Sequence, residues 1–330
     1  MVKYIVIWIM YHERDVEKNK WFIDTCIETC RVYNMQMHLV TVEHFFKMHG
    51  KTQYMLPAAV VARMIHPAVS KLLEDEGVRV YNSYNVSNIS NNKAGCMRYV
   101  HSLGVKHIPT LAISYTKKSG YVFEPVCSGG EAKVLRRLME DVDIFDEYII
   151  KSVSGHGGKE VMILSEYFKK YACSFKNFKS APKPQEEAAA NYYSDKYVVQ
   201  PLIECDGRDL RVYVIGGHII GAVIRKANGG FKSNFSLGGT VEPYTLNKEQ
   251  ESIVKKITDS IAIDYAGLDF LVCGEDDALI FNEMEDVVGA RMLSACSDID
   301  YIGCYIRHIK LTIQSTYNSY NSITPGIYNI

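Results

Sequence analysis

The chain has almost no excess charge of one sign: 37 Lys and Arg stand against 38 Asp and Glu, a net charge of -1. That removes any general electrostatic pull toward nucleic acid or an anionic membrane. Neither is expected as a partner. Long apolar runs are also missing. MVKYIVIWIM is apolar for only about seven residues before His12, Glu13, Arg14 and Asp15 restore charge, too short to cross a bilayer. No small-residue cleavage site follows, so the segment reads as a buried parallel strand. The nine cysteines include no C-x-x-C pair. Cys26 and Cys30, four apart, read either as a metal or disulfide pair or as small apolar residues on a buried helical stripe. A reducing, cytoplasmic setting is expected. There is no internal repeat and no convincing nucleophile triad, and no G-K-[ST] closes the glycine-rich stretch SVSGHGGKE, where Gly158-Lys159 leads into Glu160.

What remains is an ordinary globular composition over 330 residues, enough for two or three lobes. The first third alternates strand and helix. Strands are expected over 3–9, 37–42, 58–65 and 78–82. One helix carries Ile23, Cys26, Ile27 and Cys30, and another runs from near Pro67 to a glycine stop at Gly77. This pattern predicts a parallel sheet with helices on its faces. A helix from about Asn91 stops at Gly104, and a proline-marked strand follows. DEYIIKS (146–152) is a strand leading into GHGG, and a helix is expected over 166–171. The polar stretch FKNFKSAPKPQEEAAANYYSD reads as a loop or insertion. KYVVQPLIE (196–204) is a strand. DLRVYVIGGHIIGAVIRKA is a hairpin turning at Gly216 and Gly217. A helix capped by Asn247 turns Ile253, Ile257 and Ile261 inward. YAGLDFLV and ALIFNEME are further strands, a final helix spans 300–314, and the tyrosine-rich tail reads as loosely ordered or as a docking segment. Domains are expected over 1–88, 89–197 and 198–330.

Several charged residues stand in apolar surroundings. Asp269 lies inside GLDFLV, and Glu283 and Glu285 lie in IFNEMED. A carboxylate in a buried strand is costly unless a cation or proton compensates it. Glu283 and Glu285 share a strand face, and a hairpin register can bring Asp269 to them. Such a set suits Mg²⁺ or Mn²⁺, or else pairs with Lys and Arg on a solvated edge. Lys151 ends an apolar strand before a glycine-rich loop, which fits phosphate binding or an ordinary turn. Asp209 and Arg211 face one way in a strand, placed to contact ribose and phosphate or to pair with each other. Arg225, Lys226 and FKSNFSLGG offer either a phosphate cradle or a charged surface loop.

Taken in order, these segments resemble the ATP-grasp superfamily, and within it the branch containing the ribosomal-protein glutamate ligases. The likeness runs from about Asn91 to Arg291. It implies an α/β ATP-grasp fold of α+β lobes behind an N-terminal α/β pre-ATP-grasp domain. It also implies roles. Lys93 and Lys151 match the two ATP-contacting lysines. Gly155, Gly157 and Gly158 match the loop over the phosphates, and Gln200, Pro201 and Leu202 the hinge strand that meets adenine mainly through backbone groups. Asp209 matches a ribose contact, Arg211 a phosphate-binding arginine, and Lys232, Ser233 and Asn234 the basic-Ser-Asn segment. Asp269 and Glu283 match metal ligands. Glu285 departs from the pattern, since similar proteins carry asparagine there. DVVGARML lacks the usual Asn-Pro-Gly character, and Arg291 stands as a substrate or phosphate contact.

The function so implied is a ligase using ATP and Mg²⁺ or Mn²⁺. It phosphorylates a carboxylate and passes the acyl group to an amine, with Arg211 and Lys151 in the catalytic roles. Its partners would be a small-molecule carboxylate and an amine, an amino acid or a peptide. The rivals are a peptide- or protein-modifying enzyme of the same fold and a nucleotide-binding module without chemistry. An apolar face on a first-domain helix leaves room for a homo-oligomer.

Overall fold

The computed structural model describes residues 5–51, 55–116, 120–127, 130–140, 143–155, 161–170, 195–226 and 240–323. Among these, the strands form three sheets, each from its own stretch of chain.

The first sheet contains β1 (Ile5–Tyr11), β2 (Met35–Thr41), β3 (Ala59–Ala62) and β4 (Arg79–Tyr81), all parallel in the order β2-β1-β3-β4. Their crossovers carry α1 (Glu13–Val16), α2 (Lys20–Val32), α3 (Val42–Met48) and α4 (Pro67–Asp75). Cys26 and Cys30 are free thiols buried on α2, so the packing reading of that pair holds. α4 begins with Pro67 and is followed by Gly77 at φ 83°, a backbone region that glycine enters without steric cost.

α5 (Tyr84–Ser90) and α6 (Lys93–Ser102) follow. Asn92 caps α6 by accepting the Gly95 N–H at 2.7 Å. The apolar side of α6 (Ala94, Met97, Val100) packs into the core beneath the C-terminal sheet, with Val212, Leu268 and Phe281. The middle sheet contains β5 (Leu111–Thr116), β6 (Gly120–Pro125), β7 (Tyr148–Ser152), β8 (Val161–Ile163) and β9 (Asp195–Pro201), in the order β6-β5-β9-β7-β8. α7 (Gly130–Glu140) and α8 (Leu164–Lys170) accompany it. The polar insertion of 171–194 lies outside the described residues.

The C-terminal sheet is antiparallel. It joins β10 (Arg208–Ile215), β11 (His218–Lys226), β12 (Thr240–Pro243), β13 (Tyr265–Cys273) and β14 (Ala278–Glu285) in the order β12-β11-β10-β13-β14. α9 (Lys248–Thr258) covers one face, and its Asn247–Gln250 capping box fixes its start. α10 (Arg291–Cys296) and α11 (Tyr301–Ile323) close the chain.

α11 corrects the expectation of a loose tail after 314. Ile302, Tyr305, Ile306, Ile309 and Ile313 recur at helical spacing and pack with Ile23, Cys26 and Cys30 of α2. Nothing between Gly303 and Pro325 breaks the helix, so polar residues extend it. Asn82, just after β4, fastens the first sheet to the third. Its amide donates to Tyr265 O at 2.6 Å and Asp286 O at 3.0 Å, and its carbonyl accepts from Asp264 N–H at 2.8 Å and Tyr265 N–H at 3.0 Å. Cys205 and Cys273 are disulfide-bonded across 68 residues, a pairing that neither their spacing nor an expected reducing compartment suggested.

Candidate active site

Side chains alternate along β10. Leu210, Val212 and Val214 enter the core, while Asp209 and Arg211 share the opposite face; Asp209 lines a cleft between the middle and C-terminal sheets, and Arg211 lies buried behind the carboxylates that line it. Register then sets the chemistry. Arg211 stands opposite Asp269, Asp269 opposite Glu283, and Gly267 opposite Glu285.

A bulge in β14 makes this possible. Leu279 and Phe281 point into the core, and strict alternation would send Glu283 and Glu285 there too. Between Asp269↔Glu283 and Phe270↔Phe281, Asn282 has no partner residue. The extra residue shifts the phase, so Met284 enters the core while Glu283 and Glu285 turn to the cleft.

The carboxylates meet two arginines. Arg211 Nε and Nη2 donate to Asp269 Oδ1 and Oδ2 at 2.7 and 2.6 Å, and its Nη1 lies 2.9 Å from Glu285 Oε2. Arg225 Nη2 donates to Asp269 Oδ2 at 3.0 Å, and Arg225 Nε donates to Asp209. Asp209 and Arg211 therefore pair with other groups and not with each other. Gly267 makes the crossing possible. A Cβ there would lie 2.7 Å from Val288 Cγ2 and 3.3 Å from Arg211 Cδ.

Burial alone would raise the Asp269 pKa, but Arg211 and Arg225 outweigh it and hold it at about 2. At Glu285 burial wins over Arg211 and pushes the carboxyl up to about 7. One ligand atom from each of Asp269, Glu283 and Glu285 lies within 4.8 Å of the others. Hard carboxylate oxygens this close, with spare lone pairs beside their arginine bonds, fit Mg²⁺ or Mn²⁺.

The facing wall supplies lysines. Lys151, near the end of β7, donates from Nζ to Asn282 Oδ1 at 3.2 Å. Burial lowers its pKa to about 8, with Glu283 opposing. Lys93, first residue of α6, donates to Gly155 O, and its Nζ lies 4.0 Å from Glu283 Oε2. Lys93, Lys151, Asp269, Glu283 and Glu285 thus line one cleft of about 880 Å³, the size of a small-ligand site.

Not every expected residue arrives there. Pro201 and Leu202 line the cleft, but the Leu202 N–H already donates to Glu147 O at 2.7 Å. The Gln200 side chain donates to Thr110 Oγ1 at 2.8 Å, which leaves only its backbone for the expected contact. Arg291 is exposed at the start of α10 and is not among the cleft residues. Gly157, Gly158, Lys232, Ser233 and Asn234 lie outside the described residues. Two cleft residues were not foreseen at the carboxylate set. Asn282 shows only as a break in alternation, and Arg225 stood among several loop cations with no sign that it reaches Asp269.

Comparison with known proteins gives the family and the fold. The RimK-like ATP-grasp domain family matches residues 128–309. A tetrahydromethanopterin:alpha-L-glutamate ligase of Methanosarcina acetivorans is 32% identical over 130 residues, 38% of this chain and 39% of that protein. N-acetylaspartylglutamate synthase A of Homo sapiens is 24% identical over 200 residues, 60% of this chain and 48% of that protein. The chain thus spans half or less of the length of either relative. The solved D-alanine–D-alanine ligase of Bacillus anthracis, complexed with ATP, superposes with a TM-score of 0.61 at 13% identity, covering 96% of this chain and 99% of that one. At that identity the likeness is one of fold. No helix among the described residues is long and apolar enough to cross a membrane. With more than half of its length matched, and with lysines facing a carboxylate set across one cleft, the chain belongs to the RimK-like ATP-grasp family.

Proposed function

We propose that the protein is an ATP-dependent carboxylate–amine ligase that forms an amide through an acyl phosphate and releases ADP and phosphate. The observation that carries this reading is the placement of Lys93 and Lys151 opposite Asp269, Glu283 and Glu285 in one cleft. Lys151 and Lys93 would hold the triphosphate, their positive charge offsetting that of its oxygens. Burial already disfavours the Lys151 ammonium, so an anionic ligand stabilises it. Arg211, held flat by Asp269, would present its remaining N–H groups to the phosphoryl group as charge develops on it. Asp269, Glu283 and Glu285 would hold Mg²⁺, which when bound supplies Lewis-acid charge neutralisation at the phosphates. The substrate carboxylate attacks the γ-phosphorus, and the amine then displaces phosphate from the acyl carbon. No side-chain nucleophile is required.

The amines to try first are amino acids, glutamate among them, because that word stands in the names of the relatives above. The test is ADP release by the purified protein with Mg·ATP, measured with carboxylate and amine panels separately and together. Release that needs both supports the ligase. Release indifferent to both, across amino acids and peptides, removes it.

A further inference from the structure

α6 ends at Ser102, and the chain reverses at Gly104, whose φ of 67° suits glycine. The reversal brings His107 back beside His101, with His101 Nδ1 and His107 Nε2 3.0 Å apart. Cys127, between β6 and α7, closes the third side. One ligand atom from each of the three residues lies within 4.8 Å of the others.

The surroundings fix the position of all three residues and the tautomer of one. His107 Nδ1 lies 3.1 Å from Ile108 O, a carbonyl that can only accept. The proton therefore sits on Nδ1, and Nε2 turns a lone pair toward His101 and Cys127. The buried Glu131 carboxylate accepts from Thr110 N–H at 3.2 Å and from Cys127 N–H, which fixes the backbone carrying the thiol. The Cys127 thiol donates to Met97 O at 3.7 Å, and burial together with the Glu131 carboxylate pushes its pKa up to about 12, so a bound cation has to displace that proton.

We propose that His101, His107 and Cys127 form a binding site for one zinc-class divalent cation, separate from the nucleotide cleft. Bond lengths of about 2.0 Å to nitrogen and 2.3 Å to sulfur give tetrahedral edges of about 3.3 and 3.6 Å. The nitrogens already stand near that spacing, and closing the set shortens each sulfur–nitrogen separation by no more than about 1.2 Å. His101 is exposed, so the fourth position opens to water. Two imidazoles and a thiol select zinc over magnesium, whereas the all-oxygen set of Asp269, Glu283 and Glu285 selects the reverse. On binding, the Cys127 S–H bond breaks, a sulfur–metal bond forms, and the proton leaves to solvent.

The site is joined to the cleft by a short strap. Ile108 N–H donates to Phe281 O at 3.2 Å, and Phe281 N–H donates to Lys106 O at 2.9 Å. Phe281 precedes the bulged Asn282 that receives Lys151. A cation holding His107 therefore steadies the segment that supports the bulge.

The test is a titration of metal-free protein with Co²⁺ and then Zn²⁺, in excess Mg²⁺ to fill the acidic set. The expected result is one equivalent of Co²⁺ with tetrahedral visible absorption and a thiolate charge-transfer band, displaced by Zn²⁺. Cys127→Ser removes the band, and His101→Ala, at an exposed position, weakens Zn²⁺ binding by at least about tenfold. Glu283→Gln leaves the band in place. A parent protein without the band overturns the proposal. So does a band that survives Cys127→Ser, Zn²⁺ affinity unchanged in His101→Ala, or a band lost in Glu283→Gln.

Discussion

Replacing Arg211 with methionine keeps most of the side-chain length and removes the guanidinium. In the parent, that group makes two bonds to Asp269 at 2.7 and 2.6 Å and one contact to Glu285 at 2.9 Å, all in a buried position. Removing one member of a buried ion pair costs about 3–5 kcal/mol, because the other charge stays desolvated and unpaired. Arg225 remains 3.0 Å from Asp269 Oδ2, so the lower end of that range, about 3 kcal/mol, is expected. Urea unfolding without metal measures it. Mg²⁺ gives a second readout. The carboxylates lose a competing cation in Arg211→Met, so the ion binds the variant more tightly and narrows the gap in midpoint. Any ligase turnover falls at the same time. Arg211→Met/Asp269→Asn removes both charges and recovers part of the loss. A loss below about 1 kcal/mol, or a gap that ignores Mg²⁺, refutes the view that the arginine and a metal serve the same carboxylates.

Asn82→Ala leaves two buried N–H groups and two carbonyls without their amide partner; at about 1 kcal/mol or more each, a loss of about 4 kcal/mol is expected in denaturant unfolding. Gly267→Ala forces a Cβ against Val288 and the Arg211 stem, so Mg²⁺ affinity and thermal midpoint both fall, by calorimetry and by melting. For Lys151, a folded pKa of about 8 below the ordinary lysine value means that the unfolded chain binds more protons above about pH 8. Stability gains from this group as pH rises through that window, and below it the buried ammonium is a cost. Nucleotide phosphates favour the ammonium, so nucleotide affinity runs the other way and falls above about pH 8, with proton uptake visible as a buffer-dependent heat; a flat affinity from about pH 7 to 9.5 contradicts this role. Glu283→Gln removes a carboxylate that has no arginine bond and should weaken Mg²⁺ at least about tenfold with little loss of stability.

The sequence carried the element order well because its signals are local. Gly77, Gly104, the Gly216–Gly217 turn and the Asn247 cap each act within a few residues, and the structure uses all of them. The carboxylate set was legible because two glutamates two apart on a strand share a face, and the next strand in a hairpin must supply their neighbour. The bulge was present as a contradiction: Leu279 and Phe281 share the parity of Glu283 and Glu285, which one unbroken strand cannot reconcile. Long-range partners were not legible. Arg225 reaches Asp269 across 44 residues, and Cys205 reaches Cys273 across 68, through a register that no local pattern encodes. Gln200 was placed by analogy with a hinge that uses backbone groups, and its side chain goes instead to Thr110, a partner 90 residues away that no local pattern encodes. The tail was read from its polarity, while the lack of any glycine or proline from 304 to 323 lets α11 run on to Ile323.

The central claim is that a triphosphate sits between Lys93 and Lys151 on one wall and the three carboxylates on the other. Titration calorimetry with a non-hydrolysable ATP analogue and Mg²⁺ tests it directly. The account predicts one site per chain that is lost in Lys151→Met and weakened in Glu283→Gln. Absence of binding by folded parent protein, for adenine and guanine triphosphates alike, contradicts it.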